Sequence, residues 1–142
     1  MRNRDRSLRI TRRFRAPQTL VFKMFTDPVH FTRWFGPEGH DVVDCTLETR
    51  IGGRFEAVLK GPNGQHHVAG VFKEILPPDR VAFTWNWLGE DGKPRHPDTD
   101  TLVTIDLAAK GAETELTLTH TGFQNDDQVS KHNSGWNSCF VC

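Results

Sequence analysis

The sequence predicts an α+β fold: a curved, seven-stranded antiparallel sheet that grips one C-terminal helix, with two short helices beside it and a cavity enclosed between sheet and helix. Three observations predict it. Strand-length segments with apolar and polar residues in alternation recur through most of the chain, separated by Gly, Pro, Asn and Asp. Near the end, Leu116, Leu118 and His120 alternate with Thr117 and Thr119 and run into a turn at Gly122. Beyond it, His132 and Trp136 stand one helical turn apart, as i and i+4. A bent sheet closed by one helix has a use for such aromatic residues, because it wraps a space that they line. The 142 residues suit a single domain, 1–142, with a real core, and residues 1–7 read as a flexible basic arm.

Each element follows from local pattern. Leu8, Ile10 and Phe14 alternate with Arg9, Thr11, Arg13 and Arg15 in a half-buried first strand, in which Arg12 is a defect. Ala16-Pro17 ends it, and Leu20, Val21, Met24 and Phe25 make a helical stripe. Asp27 as N-cap and Pro28 at N1 start a second short helix, whose apolar face is Phe31, Trp34 and Phe35. Gly36-Pro37-Glu38-Gly39 stops it. Val43, Cys45 and Leu47 then alternate with Asp44, Thr46 and Glu48; Gly52-Gly53 turns the chain into Phe55, Ala57 and Leu59. Pro62-Asn63-Gly64 signals a hairpin. On the next strand Val68, Gly70 and Phe72 share one face, with Ala69, Val71 and Ile75 on the other. Pro77-Pro78-Asp79 turns into a strand with Val81, Phe83, Trp85 and Trp87 on one face and Ala82, Thr84 and Asn86 opposite. A polar loop, Gly89 to Pro97, precedes Val103, Ile105 and Leu107; Lys110-Gly111 leads into the last strand, where Glu113 and Glu115 read as solvent-facing residues of an edge. Asp126 or Asp127 caps the final helix, with Val129, His132, Trp136, Cys139 and Phe140 near one face.

Composition narrows the function classes. Seven of the 18 basic residues lie in the first 15 positions, against Asp5 alone, so that segment carries +6 and the remainder −6. No stacking or groove-reading motif accompanies this charge, so nucleic-acid binding is not expected. No apolar run approaches a membrane span, and no apolar segment follows the basic N-terminus as a secretory signal requires. Three cysteines, Cys45, Cys139 and Cys142, fit a reducing compartment, and a cytoplasmic location is expected. The Cys139-x-x-Cys142 pair supplies two ligands at most and reads as i and i+3 on one helix face. No GxSxG or HExxH occurs. His66 and His67 point oppositely on a strand, and no carboxylate or Cys spacing supports a site from His67, His120 and His132. Neither a metal nor a cofactor is therefore expected.

Several stretches carry a family likeness in their order and spacing: Phe14-x-Ala16-Pro17, Val21-Phe22, Thr26-Asp27-Pro28, Trp34-Phe35-Gly36-Pro37, Gly52-Gly53, Glu74-Ile75-x-Pro77-Pro78, Phe83-Thr84-Trp85, Leu116 to Phe123 and His132 to Trp136. From about Leu8 onward the chain resembles the activator of heat-shock protein 90 ATPase homologue family, in the START/Bet v 1-like (SRPBCC) superfamily. The resemblance implies the helix-grip fold with its cavity between sheet and C-terminal helix. Family members usually carry that helix further past the Gly-Trp pair; here Cys142 comes six residues after Trp136. From Asp126 such a helix reaches about 25 Å, which leaves the cavity less covered or lets a second copy, in a homodimer, help to cover it.

The residues expected to line the cavity and bind a ligand are Trp34, Phe55, Phe72, Phe83, Trp85, Trp87, Leu118, His120, His132, Trp136 and Phe140. Ten Phe and four Trp with no Tyr suit an apolar lining, since aromatic faces offer large contact area at low entropic cost. His120, inward beside Leu116 and Leu118, is the one polar anchor on that strand face and needs a partner if buried. His67, Arg54, Asn86 and Glu56 reach the cavity only if strand register turns them inward. The function expected is binding or transport of a small hydrophobic or aromatic ligand. The alternatives are a cavity enzyme of cyclase or hydrolase type, with His120 as general acid–base, and a protein partner that stimulates a chaperone ATPase.

Overall fold

The computed structural model describes residues 6–35, 39–62, 64–88, 101–123 and 126–139, with side chains to Asn137 in the last range. Its elements are β1 (Arg6–Phe14), α1 (Gln18–Thr26), α2 (Pro28–Trp34), β2 (Asp41–Leu47), β3 (Arg54–Gly61), β4 (Gly64–Leu76), β5 (Arg80–Leu88), β6 (Thr101–Lys110), β7 (Glu113–Phe123) and α3 (Asp126–Cys139). The strands form one antiparallel sheet in the order β1-β7-β6-β5-β4-β3-β2. From β2 to β7 every strand neighbouring in sequence is a neighbour in space. β1 alone crosses to the far edge, and α1 and α2 make that crossing.

One face of the sheet is the core. Phe55, Val68, Phe72, Val81, Phe83, Trp85, Val103, Ile105, Leu116 and Leu118 are buried there, and α1 and α2 add Val21, Phe22, Phe25, Phe31 and Phe35. At roughly 2 kcal/mol or more for each large apolar side chain, this face is the chief source of stability. α1 packs on β5, β6 and β7, α2 on β2, and α3 on β1 and β7. α2 starts as its residues dictate: Asp27 caps it, its carboxylate accepting from the Val29 amide at 2.9 Å, with proline at the first position.

Four local readings change. On α1, Phe22 turns inward while Leu20 is 40% exposed, because the helix presents its 21/22/25 edge to the sheet. In β2 the register shifts between Val42 and Asp44, so Val42 pairs Leu59 on the core side and the bulged Val43 is 50% exposed. In β4 a second shift, between Phe72 and Glu74, places Ile75 opposite the buried Val81 and against the core instead of with Ala69 and Val71. β7 is no edge: it lies between β1 and β6, and Glu113 and Glu115 face Arg13 at 3.5 and 3.7 Å. The true edges are β1, lined with arginines, and β2, acidic and bulged, both features that discourage strand-to-strand association.

Arg12, the defect in the first strand, is also accounted for. It stands opposite Leu116 on the same face as Leu8 and Ile10, and is exposed. Its guanidinium donates to the Thr11 carbonyl and to the Asn137 side chain on α3. With the Arg6–Asp126 ion pair at 2.7 Å, it fastens the edge strand to both ends of the helix, so Arg6 and Ser7, expected in a flexible arm, belong instead to β1. The expected loop Gly89 to Pro97, the stop at 36–38, and Phe140 and Cys142 lie outside the described residues.

Candidate functional site

Sheet and α3 meet over β5 and β7. Alternation on β5 sends Trp85 and Trp87 to the core face, and alternation on β7 sends Leu118 and His120 there. α3 is polar along most of its length; among its described side chains, Val129, His132 and Trp136 are the apolar or aromatic contacts with the interior. Trp136 is 3% exposed and lies 5.0 Å from the Trp85 ring and 5.9 Å from that of Phe35, centroid to centroid. Trp85 thus sits in a ring of rings, within 5.6 Å of His120 and 5.5 Å of Trp87.

Most polar groups of this layer, the Trp85 indole N–H excepted, pair off in two chains. In the first, the Trp136 indole donates to His120 Nδ1 at 3.1 Å, and His120 Nε2 lies 2.7 Å from the Thr101 hydroxyl. That hydroxyl donates onward to the Trp85 carbonyl at 2.8 Å. An indole N–H can only donate, so Nδ1 is the bare nitrogen and Nε2 carries the proton. In the second chain, the Trp87 indole donates to His132 Nε2 at 3.0 Å, and His132 Nδ1 faces the Gln128 carbonyl at 2.8 Å. The same logic puts the His132 proton on Nδ1. The two imidazoles lie 5.2 Å apart, edge to face. Burial, with His132 as a second cause, holds the His120 imidazole well below its usual pKa, so it stays neutral at physiological pH.

The remaining residues expected at the site spread further. Phe55 stacks on Phe83 at 4.2 Å and meets Phe72 and Phe31 edge to face, so these phenyls form a floor that faces α2. Trp34 sits between the two short helices, edge-on to Phe25 and Phe31, its indole donating to the Met24 carbonyl at 2.6 Å. Leu118 is fully buried between Ile10 and Ile105. Arg54, Glu56, His67 and Asn86 do not turn inward. They alternate with core residues and face the other side of the sheet, where Glu56 accepts from Arg54 and lies 2.9 Å from His67 Nε2. His67 therefore does not converge with His120 and His132, and among the described residues no three His, Cys, Asp or Glu side chains come together as a metal site.

Three participants escaped the sequence reading: Phe35, Phe123 and Thr101. Phe123 lies 4.4 Å from His120 and 4.8 Å from His132. Thr101 had a legible signal, since it shares strand parity with Val103 and Ile105 and so points inward.

Comparison with known proteins agrees with this architecture. The family model described as Activator of Hsp90 ATPase homolog 1-like protein matches residues 15–141. The AHSA1 protein of Silicibacter pomeroyi superposes with a TM-score of 0.84 at 28% identity, over 94% of this chain and 92% of its own. A protein of Arthrobacter aurescens shares the fold at 24% identity and a TM-score of 0.82, over 98% and 84% of the two chains. CalU16 of Micromonospora echinospora is 25% identical with a TM-score of 0.65, over 95% and 71%. No curated protein matches the chain. With nearly its whole length matched, the chain belongs to the Activator of Hsp90 ATPase homolog 1-like family, within the SRPBCC superfamily of helix-grip proteins.

Proposed function

We propose that this protein binds or carries a small hydrophobic, aromatic molecule between the sheet and α3. The observation that carries the reading is the wall formed by Trp85, Trp87 and Trp136 with His120 and His132, set beneath a helix whose other residues are mainly polar. Aromatic side chains of this kind favour flat apolar ligands. Among its described side chains α3 is held to the interior mainly by Val129, His132 and Trp136; a helix so held yields at little cost, and its displacement is the route by which a ligand enters. The superfamily generally forms ligand-binding cavities.

Native mass spectrometry on gently purified protein tests the reading, together with titration of the tryptophan fluorescence by planar aromatic probes. A bound adduct, or saturable quenching at micromolar probe, is the expected result. Protein that carries nothing and binds no apolar probe sinks the reading.

The enzymatic alternative places acid–base chemistry on His120. Both nitrogens of that ring are engaged, so it would have to exchange a partner before moving a proton. The chaperone-stimulating alternative rests on the family's description alone, and an ATPase assay with the chaperone separates it from ligand binding.

A further inference from the structure

The four tryptophans are not equivalent. Trp34 donates to the Met24 carbonyl, Trp87 to His132 and Trp136 to His120. The fourth indole N–H, that of Trp85, is fully buried and has no acceptor among the described residues. Trp85 is 4% exposed and stands at the centre of the layer between sheet and α3. Buried donors are nearly always paired, so an orphan at the heart of a candidate site asks for a partner from outside the chain.

The surroundings say what that partner is. Phe35, Phe55, Trp87, His120, His132 and Trp136 lie around the Trp85 ring, and none carries a fixed charge. A carboxylate brought here would lose its water and find no lysine or arginine among these six residues. A ligand hydroxyl or amine would seek an acceptor, but His120 Nδ1 and His132 Nε2 already receive the Trp136 and Trp87 protons. What fits is an oxygen that only accepts.

We infer that the ligand is a neutral aromatic molecule bearing a carbonyl oxygen, as in a ketone, quinone or lactone, and that the Trp85 N–H is the donor that selects it. The inference rests on the binding role proposed above. A site that hydrogen-bonds a ligand group rejects analogues lacking it, because its own buried group is then left unpaired.

The test compares 9-fluorenone with fluorene, two flat tricyclic probes that differ at the carbonyl. The intact protein is expected to bind fluorenone about tenfold more tightly, the difference one hydrogen bond makes. Trp85→Phe abolishes that preference. Should Trp85→Phe fold poorly, benzothienylalanine at position 85 keeps the bicyclic shape and removes only the N–H. In a 1H–15N spectrum the Trp85 indole signal moves downfield with fluorenone and not with fluorene. Equal affinity for the two probes, or a preference that survives loss of the N–H, overturns the carbonyl assignment while the binding site stands. Failure to bind either probe overturns the binding role itself, and this inference with it.

Discussion

His120 shows how much one residue's environment decides. Its inward direction is legible in the alternation with Leu116 and Leu118, but its partners, Thr101 and Trp136, come from another strand and from the helix. Full burial, with His132 as a second cause, holds the ring neutral. The consequence for stability has a definite sign. The unfolded chain takes up a proton on this residue below about pH 6.5, whereas the folded protein does not until well below that. More protons on the unfolded state mean that stability falls as the solution is acidified through this window, by up to about 1.4 kcal/mol per pH unit. Urea denaturation at several values between pH 7.5 and pH 5 checks it. The variant His120→Leu is expected to lose about 2 kcal/mol at pH 7.5, since the Trp136 N–H is left without its acceptor. It should also lose this share of the acid sensitivity; an unchanged pH profile would dismiss His120 as its source. Arg12 teaches the same lesson. Its position breaks the apolar pattern, and only the arrival of Asn137 on α3 shows why.

At the scale of elements, the alternating pattern located all seven strands, and cap residues located the start of α2. Facing failed where a strand bulges. In β2 the bulge leaves Val43 out of the ladder while Cys45 and Leu47 keep their inward face; past the shift in β4 the parity reverses and Ile75 lands on the face opposite to its simple alternation. Nothing local distinguishes such a residue, because the extra unit is absorbed by pairing with a neighbour distant in sequence. Strand contact also explains Gly70. A Cβ there would come within 1.8 Å of the Thr84 carbonyl oxygen on β5, a backbone atom that cannot swing aside. Gly70→Ala is therefore expected to cost about 3 kcal/mol, at the upper end for overpacking, and thermal unfolding would read it. A melting temperature equal to that of the parent would mean that β4 and β5 do not approach so closely in solution. Gly135, with open space around its Cβ position, is the matched control: Gly135→Ala should be neutral or mildly stabilising.

For the whole molecule, the sheet with α1 and α2 forms one apolar body, and α3 lies against it through Val129, His132 and Trp136 and the tethers at Arg6 and Arg12. Opening free energy follows buried contact, so α3 should be the first large element to open. Hydrogen exchange should find its amides at least about tenfold less protected than those of β6 and β7. A bound aromatic ligand should slow the exchange of α3 selectively. Equal protection of helix and sheet would rule out α3 as a lid. The sequence by itself determined the strands, their order along the chain, the inward aromatic residues and the family resemblance, because these depend on side-chain alternation and turn chemistry, which are local. Tertiary structure alone decided which edges stay open, which residues bulge, how the two histidines are protonated, and which of four indoles is left with its proton unclaimed. Each of these depends on the group that arrives from a distant part of the chain, and pairing across space leaves no mark in the spacing of neighbours.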